Sequence, residues 1–187
     1  MQSKTSSFNK EILLQVVRSV GWVSIVYFLG LCIALPIRMM MTYSRKQFVN
    51  VQVDSLFQYD YHIQVVLLVV IPIIMAVFLF RFLHVKQAAD LIHSLPVKRS
   101  KIYQYYVLTG LVLLIVPVLL NTILILLTHG ALDLSPYFGV KDILYWTVTT
   151  ILMNIVLFLS GVFIAMMTGI SAVQAVLTYV FYFSQLG

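Results

Sequence analysis

The sequence predicts an all-α integral membrane protein, in which an N-terminal interfacial amphipathic helix precedes about five transmembrane helices. Of the 187 residues, 61% are hydrophobic and 10% are charged, whereas soluble domains have roughly 45–50% and about 25%. The mean hydropathy is +1.01. Because so few polar side chains cannot cover a water-facing surface, we expect the lipid bilayer to be the solvent of this chain.

The interfacial helix is predicted over residues 8–21. Apolar residues recur there at every fourth position, with polar residues between them, and the apolar positions are Phe8, Ile12, Val16 and Val20. A helix of this kind lies flat on a membrane surface. The alternative is a water-exposed extension of the first span. Gly21 and Trp22 favour the interfacial interpretation, because they mark a helix break and an interface anchor.

Five apolar runs follow, and each is long enough to cross the hydrocarbon core, since about 20 residues of helix span about 30 Å. The predicted spans are residues 22–41, 63–82, 102–127, 143–168 and 170–187. Pro36 and Pro117 predict kinks in the first and third spans, and Pro72 predicts an interruption of the second. The fifth run has no flanking charge or aromatic anchor, so we expect the chain to be truncated there and to continue beyond Gly187.

The connection over residues 84–101 is the most informative segment. Its apolar residues at positions i, i+3, i+4 and i+7 form one stripe on a short helix, namely Ala88, Leu91, Ile92 and Leu95. Pro96 ends this helix. The cations Lys98, Arg99 and Lys101 then stand at the start of the third span, where they oppose the helix dipole. Another effect must therefore favour these cations at this position, and either membrane orientation or an acidic partner would suffice.

The distribution of basic residues predicts the orientation. If the N-terminus and the 84–101 connection share a side, that side carries eight basic residues and the opposite side carries four. The eight are Lys4, Lys10, Arg18, Arg81, Lys86, Lys98, Arg99 and Lys101, and the four are Arg38, Arg45, Lys46 and Lys141. Because basic residues concentrate on the cytoplasmic side, the N-terminus is predicted to be cytoplasmic.

The sequence lacks the residues that several classes of protein function require. All six carboxylates lie outside the five apolar runs, whereas proton relays and ion-coupled transporters generally need ionisable groups at membrane depth. The sequence contains no HExxH, GxSxG or Walker A motif, its four histidines are far apart, and its one cysteine excludes an intrachain disulfide. Its basic residues form no continuous stripe for nucleic acid. We therefore predict no catalytic, metal or cofactor site, and no enzyme.

Two asparagines, Asn121 and Asn154, lie within the apolar runs and are the strongest candidates for buried polar residues. Ser160 and Gln174 are weaker ones. One role is hydrogen bonding between helices, which is common and is often worth about 0.6 kcal/mol. The other role is to line a substrate path. The sequence leaves both open.

The segment His93–Tyr103, which reads HSLPVKRSKIY, resembles the connection after the second span in bacterial ABC transporter permeases of the type-2 exporter class. The preceding KQAAD, Lys86–Asp90, is similar to permeases of Gram-positive bacteria in particular. The amphipathic N-terminal helix resembles the interfacial connecting helix of that family. The resemblance covers most of residues 8–130, and the later spans match only in hydropathy.

This resemblance implies a six-helix permease bundle that pairs with a second permease subunit, identical or different, and is driven by a separate cytoplasmic ABC ATPase. It implies that the connection docks on the ATPase as a coupling helix, although an interfacial position is the alternative. The implied coupling residues are Ala88, Asp90, Leu91, Ile92, Leu95, Pro96, Lys98 and Arg99. The substrate would be lipid-like, a peptide or a drug, and the location would be the bacterial cell membrane. The chain departs from the family pattern by ending inside the fifth span.

Two other classes of protein remain open. An intramembrane enzyme would need catalytic residues beyond residue 187, and a downstream acid–histidine or metal motif would favour it. A non-transporting membrane scaffold or sensor component would need none. A neighbouring gene for an ATPase would favour the transporter.

Overall fold

The computed structural model describes residues 2–44, 62–80, 99–134 and 138–167, and every regular element in these ranges is a helix. The elements are α1 (Gln2–Cys32), a π-helical segment (Ile33–Ile37), α2 (Arg38–Ser44), α3 (His62–Phe80), α4 (Arg99–Ala131) and α5 (Val140–Met167). The predicted all-α fold is thus confirmed within the described ranges. The predicted fifth span, 170–187, and residues 84–98 of the predicted coupling segment lie outside them.

The described helices include four that are long and apolar enough to cross a membrane. These candidate spans are Val16–Met41, Ile63–Phe80, Tyr103–Ala131 and Val140–Ala165, and they correspond to the first four predicted spans. Their outward faces are also apolar. On α4, for example, the exposed large side chains are Leu108, Val112, Val116, Leu119, Leu120, Ile123 and Leu127. A surface of this kind is stable against lipid chains, and the chain is a multi-pass membrane protein.

The first helix differs from the prediction, because α1 continues through Gly21 without a break. Val16 and Val20, the later members of the predicted stripe, are buried in the protein, and Val23 continues the buried face. Phe8 and Ile12 lie outside the residues whose side chains are described. A glycine inside a helix costs only about 1 kcal/mol, and burial of the flanking valines outweighs that cost. The predicted break at Gly21 is therefore wrong.

The three prolines affect their helices in different ways. Pro36 lies in the π-helical segment Ile33–Ile37. Because proline has no N–H, the carbonyl group of Cys32 loses its α-helical donor, and the wider turn accommodates this loss. In contrast, α3 continues as an α-helix through Pro72 and α4 continues through Pro117. The interruption predicted at Pro72 is therefore absent.

The chain divides into two compact units, and the long helices contribute segments to both. Unit 1 comprises Met1–Val23, Pro72–Leu113 and Ile155–Gly187, and unit 2 comprises Ser24–Ile71 and Leu114–Asn154. Within the described part of unit 1, small residues bring helices close together. A Cβ atom added to Gly110 would lie 2.5 Å from Cζ of Phe158, and one added to Gly161 would lie 2.9 Å from Cβ of Ala76. Close backbone approach through small residues is typical of membrane helices.

In unit 2, Gly30 allows a similar approach, because an added Cβ would lie 2.8 Å from Cδ1 of Leu67. The turn between α4 and α5 is closed by His129, whose Nε2 lies 2.9 Å from the carbonyl oxygen of Phe138. The N–H of Gly139 donates to Oδ2 of Asp142 at 2.9 Å, which caps the start of α5. These contacts set the position of α5 beside α4.

Candidate functional site

Asn154, one of the two predicted polar residues, is fully buried in unit 2 and pairs with Tyr27. The hydroxyl group of Tyr27 donates to Oδ1 of Asn154 at 3.2 Å, and Nδ2 of Asn154 donates to the same hydroxyl oxygen at 2.9 Å. The pair joins α1 to α5. Asn154 thus takes part in hydrogen bonding between helices, and its role in a substrate path stays a prediction.

Asn121, the other predicted residue, is also fully buried in unit 2 but has weaker partners. Its Nδ2 donates to Sγ of Cys32 on α1, over a distance of 3.9 Å. A thiol sulfur is a weak acceptor. The side-chain oxygen Oδ1 of Asn121 is buried without any hydrogen-bond partner. Asn121 therefore has hydrogen-bonding capacity that the protein itself leaves unused.

A pair of threonines connects α4 and α5 immediately beside Asn121. The Oγ1 atoms of Thr122 and Thr147 lie 2.9 Å apart, and either hydroxyl group can donate to the other. Each hydroxyl also lies within hydrogen-bond distance of a carbonyl oxygen one turn earlier in its own helix. Both threonines are buried. The contact between the two hydroxyl groups links the two helices at this point.

Two further polar side chains of unit 2, which the sequence did not single out, are buried without partners. Gln64 on α3 is 2% exposed, and neither its Nε2 nor its Oε1 has a hydrogen-bond partner. Trp146 on α5 is 1% exposed, and its Nε1 is likewise unpartnered. Together with Oδ1 of Asn121, the unpaired atoms are two acceptors and two donors. None of them carries a charge.

On α4 and α5, the unpaired groups occur at the same height. Thr122 and Thr147 are in hydrogen-bond contact, Asn121 precedes Thr122, and Trp146 precedes Thr147. One residue of helix corresponds to about 1.5 Å of rise. The backbones of Asn121 and Trp146 therefore differ in height by only a few ångströms along the two helices.

On α3, Gln64 stands three residues before Leu67, whose side chain packs against Gly30. Gln64, Asn121 and Trp146 share one property, namely buried side-chain atoms without a hydrogen-bond partner, and for that property we name them together the unpaired polar cluster.

The composition of the cluster limits its chemistry. It contains amide and indole groups only, without an acid, a base or a nucleophile. Within the described ranges, no three His, Cys, Asp or Glu residues come close enough to hold a metal ion. These side chains can donate and accept hydrogen bonds but offer no general acid or base.

Most of the predicted ATPase-coupling residues lie outside the described residues, namely Ala88, Asp90, Leu91, Ile92, Leu95, Pro96 and Lys98. The exception is Arg99, which is the first residue of α4. Of the weaker polar candidates, Ser160 donates to the carbonyl oxygen of Val156 in its own helix at 2.7 Å, and Gln174 lies outside the described residues. Ser160 is thus satisfied locally and does not join the cluster.

Comparison with known proteins gives no relative from which a function could be transferred. No family model, no curated protein and no solved structure matches the chain. Its function is therefore proposed from its own residues.

Proposed function

We propose that the chain is the membrane-spanning permease subunit of an ABC transporter in a bacterial cell membrane. It would move a lipid-like, peptide or drug substrate with energy from ATP that a separate cytoplasmic subunit hydrolyses. The observation that carries this proposal is the entry to α4. In the sequence, the predicted apolar stripe at 88, 91, 92 and 95 precedes the cationic sequence PVKRSK. A single helix begins within that sequence at Arg99, runs to Ala131 and carries buried Asn121.

The absence of charge from the middle of the described spans supports an external energy source. Arg18 and Arg38 lie within a few residues of the ends of the first candidate span, and Lys141 and Asp142 lie at the start of the fourth. Transport driven by protons or ions generally needs ionisable side chains at membrane depth. Hydrolysis of ATP on another subunit needs none.

The length of α4 supports mechanical coupling. Its 33 residues correspond to about 50 Å of helix, more than the thickness of the hydrocarbon core. A displacement of the coupling segment at one end would therefore move the whole helix, including Asn121 in its second half. Apolar residues at 88, 91, 92 and 95 would provide the surface that docks on the ATPase. A partly apolar helix in water is stabilised by such docking.

The orientation and the expected assembly agree with this function. A cytoplasmic N-terminus, favoured by the eight-to-four distribution of basic residues, would put residues 84–101 on the side where ATP is available. By resemblance to type-2 exporters, we expect the chain to pair with a second permease subunit, identical or different. The substrate path would then be completed by helices of both subunits.

The test is a series of carboxylate substitutions in the coupling segment, assayed with the ATPase that co-purifies with the wild-type chain from its host membranes. Leu91→Asp and Ile92→Asp put a charge on the apolar stripe, and we expect each to abolish stimulation of ATP hydrolysis by the permease. Burial of an unpaired carboxylate would cost several kcal/mol. Gln87→Asp, which places the same charge off the stripe, is the matched control and should leave stimulation intact.

Insertion of each variant into membranes and its elution as a folded species are measured alongside. Full stimulation of hydrolysis by both Leu91→Asp and Ile92→Asp would show that the segment is not the coupling element. Equal loss of stimulation in Gln87→Asp would also contradict docking through the apolar stripe.

A further inference from the structure

We propose that unit 1 binds the headgroups of anionic phospholipids where the first and third candidate spans begin. The residues concerned are Arg18, Trp22, Phe78, Arg99 and Lys101, which we name the basic collar. The proposal goes beyond the function above, because it concerns the lipid that surrounds the protein and does not depend on an ATPase.

Contacts between aromatic rings bring three helix ends together in unit 1. The indole ring of Trp22 on α1 packs edge-on against Phe78, two residues before the end of α3, with the ring centroids 5.7 Å apart. Phe80, the last residue of α3, packs against Tyr103 on α4, with the centroids 5.8 Å apart. The beginnings of the first and third candidate spans therefore both lie beside the end of α3.

Cations stand one helical turn before these rings. Arg18 lies four residues before Trp22, so the two share one face of α1, and Arg99 lies four residues before Tyr103 on α4. Arg18 is exposed, and no hydrogen bond or ion pair links it to the described part of the chain. The first turn of α4 contains Arg99 and Lys101 but no acidic residue. An anion that neutralises Arg18 must therefore come from elsewhere.

The excess positive charge of the chain is concentrated in unit 1. The ranges of this unit contain eight basic and two acidic residues, a net charge of +6, whereas unit 2 contains four of each and is neutral. Glu11, the nearest acidic residue to Arg18 in the sequence, precedes it by about two helical turns. Clusters of basic residues at the ends of membrane helices attract anionic lipids. The distribution of charge therefore favours an anionic partner for unit 1 in particular.

The aromatic and apolar neighbours of Arg18 favour a lipid over a soluble anion. Trp22 and Phe78 are 50% and 42% exposed, and indole rings typically lie at the level of the headgroups. The outward face of α1 continues from Trp22 into the first span with exposed Ile25, Leu29 and Ile33. A phospholipid can therefore contact Arg18 with its phosphate and this apolar face with its acyl chains, whereas a soluble anion would use the cations only.

The experiment measures which lipid lies beside Trp22 in vesicles that contain the full chain. The protein contains two tryptophans, so Trp146→Phe leaves Trp22 as the single fluorescent reporter. The vesicles consist of phosphatidylcholine with an equal mole fraction of either brominated phosphatidylglycerol or brominated phosphatidylcholine. Bromine on an acyl chain quenches indole fluorescence at short range only. Quenching as a function of the brominated fraction therefore gives the relative association constants of the two lipids at Trp22.

We expect phosphatidylglycerol to associate at Trp22 about tenfold more strongly than phosphatidylcholine. Arg18→Gln should reduce this preference by about fivefold, because it removes one cation near the membrane surface. Arg18→Lys keeps the charge and should keep most of the preference. The matched control is Lys141→Gln, which removes an exposed cation of unit 2 and should leave the preference unchanged.

Elution as a folded species is checked for every variant. Native mass spectrometry of the chain with both tryptophans provides a second measurement, which does not require Trp146→Phe to fold. In detergent, phosphatidylglycerol should bind at lower concentrations than phosphatidylcholine, and Arg18→Gln should remove most of this difference.

Equal association of the two lipids at Trp22 would overturn the proposal. So would an unchanged preference in Arg18→Gln, or a reduction in Lys141→Gln as large as that in Arg18→Gln. Because no ATPase is present, the lipid preference would stand even if the transporter proposal failed. Conversely, an intact coupling to an ATPase without this preference would refute only the lipid site.

Discussion

At the scale of single residues, the interior of unit 2 shows two ways in which a polar side chain occurs in an apolar environment. Asn154 and Tyr27 exchange hydrogen bonds across two helices. Gln64 and Trp146 are buried equally deeply but retain unpaired atoms. The first arrangement stabilises the fold by itself. The second leaves the cost of burying these polar atoms without a compensating hydrogen bond from the described part of the chain.

The Tyr27–Asn154 pair should be energetically coupled. Tyr27→Phe and Asn154→Leu each break the pair, and the double variant should lose less stability than the sum of the two single variants. The expected coupling energy is about 0.6–1.7 kcal/mol, the range for hydrogen bonds between membrane helices. Unfolding in detergent mixtures measures it through a double-mutant cycle. Additive losses would mean that the pair contributes no stability of its own.

Gln64→Leu should stabilise the protein, because it replaces a buried amide that has no partner with an apolar side chain of similar size. We expect the unfolding free energy to rise by about 1–3 kcal/mol. The exposed Gln104 provides the control, since Gln104→Leu should change stability by no more than about 0.5 kcal/mol. If Gln64→Leu instead destabilises the protein by 1 kcal/mol or more, the Gln64 side chain is hydrogen-bonded in the native state.

Sequence reasoning identified only part of this interior. Asn121 and Asn154 were predicted because an amide stands out within a long apolar run. Gln64 was missed because it lies two residues into its helix, where a polar side chain is ordinary. Trp146 was missed because an indole near the start of a span is typical of an interface anchor. Which way each of these side chains faces depends on how the helices rotate and pack, and hydropathy carries no such information.

At the scale of helices, three glycines leave room for side chains of neighbouring helices, and the contact of Gly110 is the tightest. Gly110→Ala would place a Cβ atom 2.5 Å from Cζ of Phe158 and 2.8 Å from Cδ2 of Leu79. We expect a loss of about 1–3 kcal/mol of stability through overpacking. Thermal unfolding of the purified protein measures this loss.

Gly21→Ala is the matched control, because its Cβ would lie 3.6 Å from Cγ1 of Val17, an ordinary contact. Alanine is the better helix former by about 1 kcal/mol, so this variant should be neutral or slightly more stable. An equal loss of stability in both variants would contradict the close approach at Gly110.

Helix positions were predictable, whereas helix breaks were not. The lengths of the apolar runs located four spans that the described helices contain. The glycine at position 21 suggested a break that is absent, because the buried face formed by Val16, Val20 and Val23 continues past it. Pro36 and Pro72 have the same local chemistry, yet one lies in a π-helical segment and the other inside a continuous α-helix. Tertiary packing decides between these outcomes.

At the scale of the whole molecule, the orientation in the membrane follows from the basic residues and can be measured directly. In a Cys32→Ser background, a single cysteine is introduced by Gln52→Cys or by Gln87→Cys. An impermeant thiol reagent applied to intact cells should label the first and spare the second, because residues 42–62 are predicted to be external. Permeabilised cells, in which both should be labelled, provide the control. Labelling of position 87 but not of position 52 in intact cells would show the opposite orientation. The coupling segment would then lie on the side of the membrane that lacks ATP.

Composition and hydropathy were sufficient to predict a multi-pass membrane protein, because long apolar segments with few charges are stable in lipid and not in water. They do not distinguish one function of such a protein from another. A transporter, a scaffold and an intramembrane enzyme share the same bilayer physics and differ in a few polar residues and in their partners. The proposed function therefore depends on the segment HSLPVKRSKIY and on the uncharged interior of the spans.

Dependence on a separate ATPase is tested by purifying the tagged full chain from the membranes of its own host and then assaying ATP hydrolysis. We expect an ATPase subunit to elute with the permease in a fixed ratio and to hydrolyse ATP. The same purification of Leu91→Asp should yield folded permease without that subunit. Folded wild-type permease that elutes without any ATPase, or equal recovery of the ATPase with Leu91→Asp, would contradict this dependence.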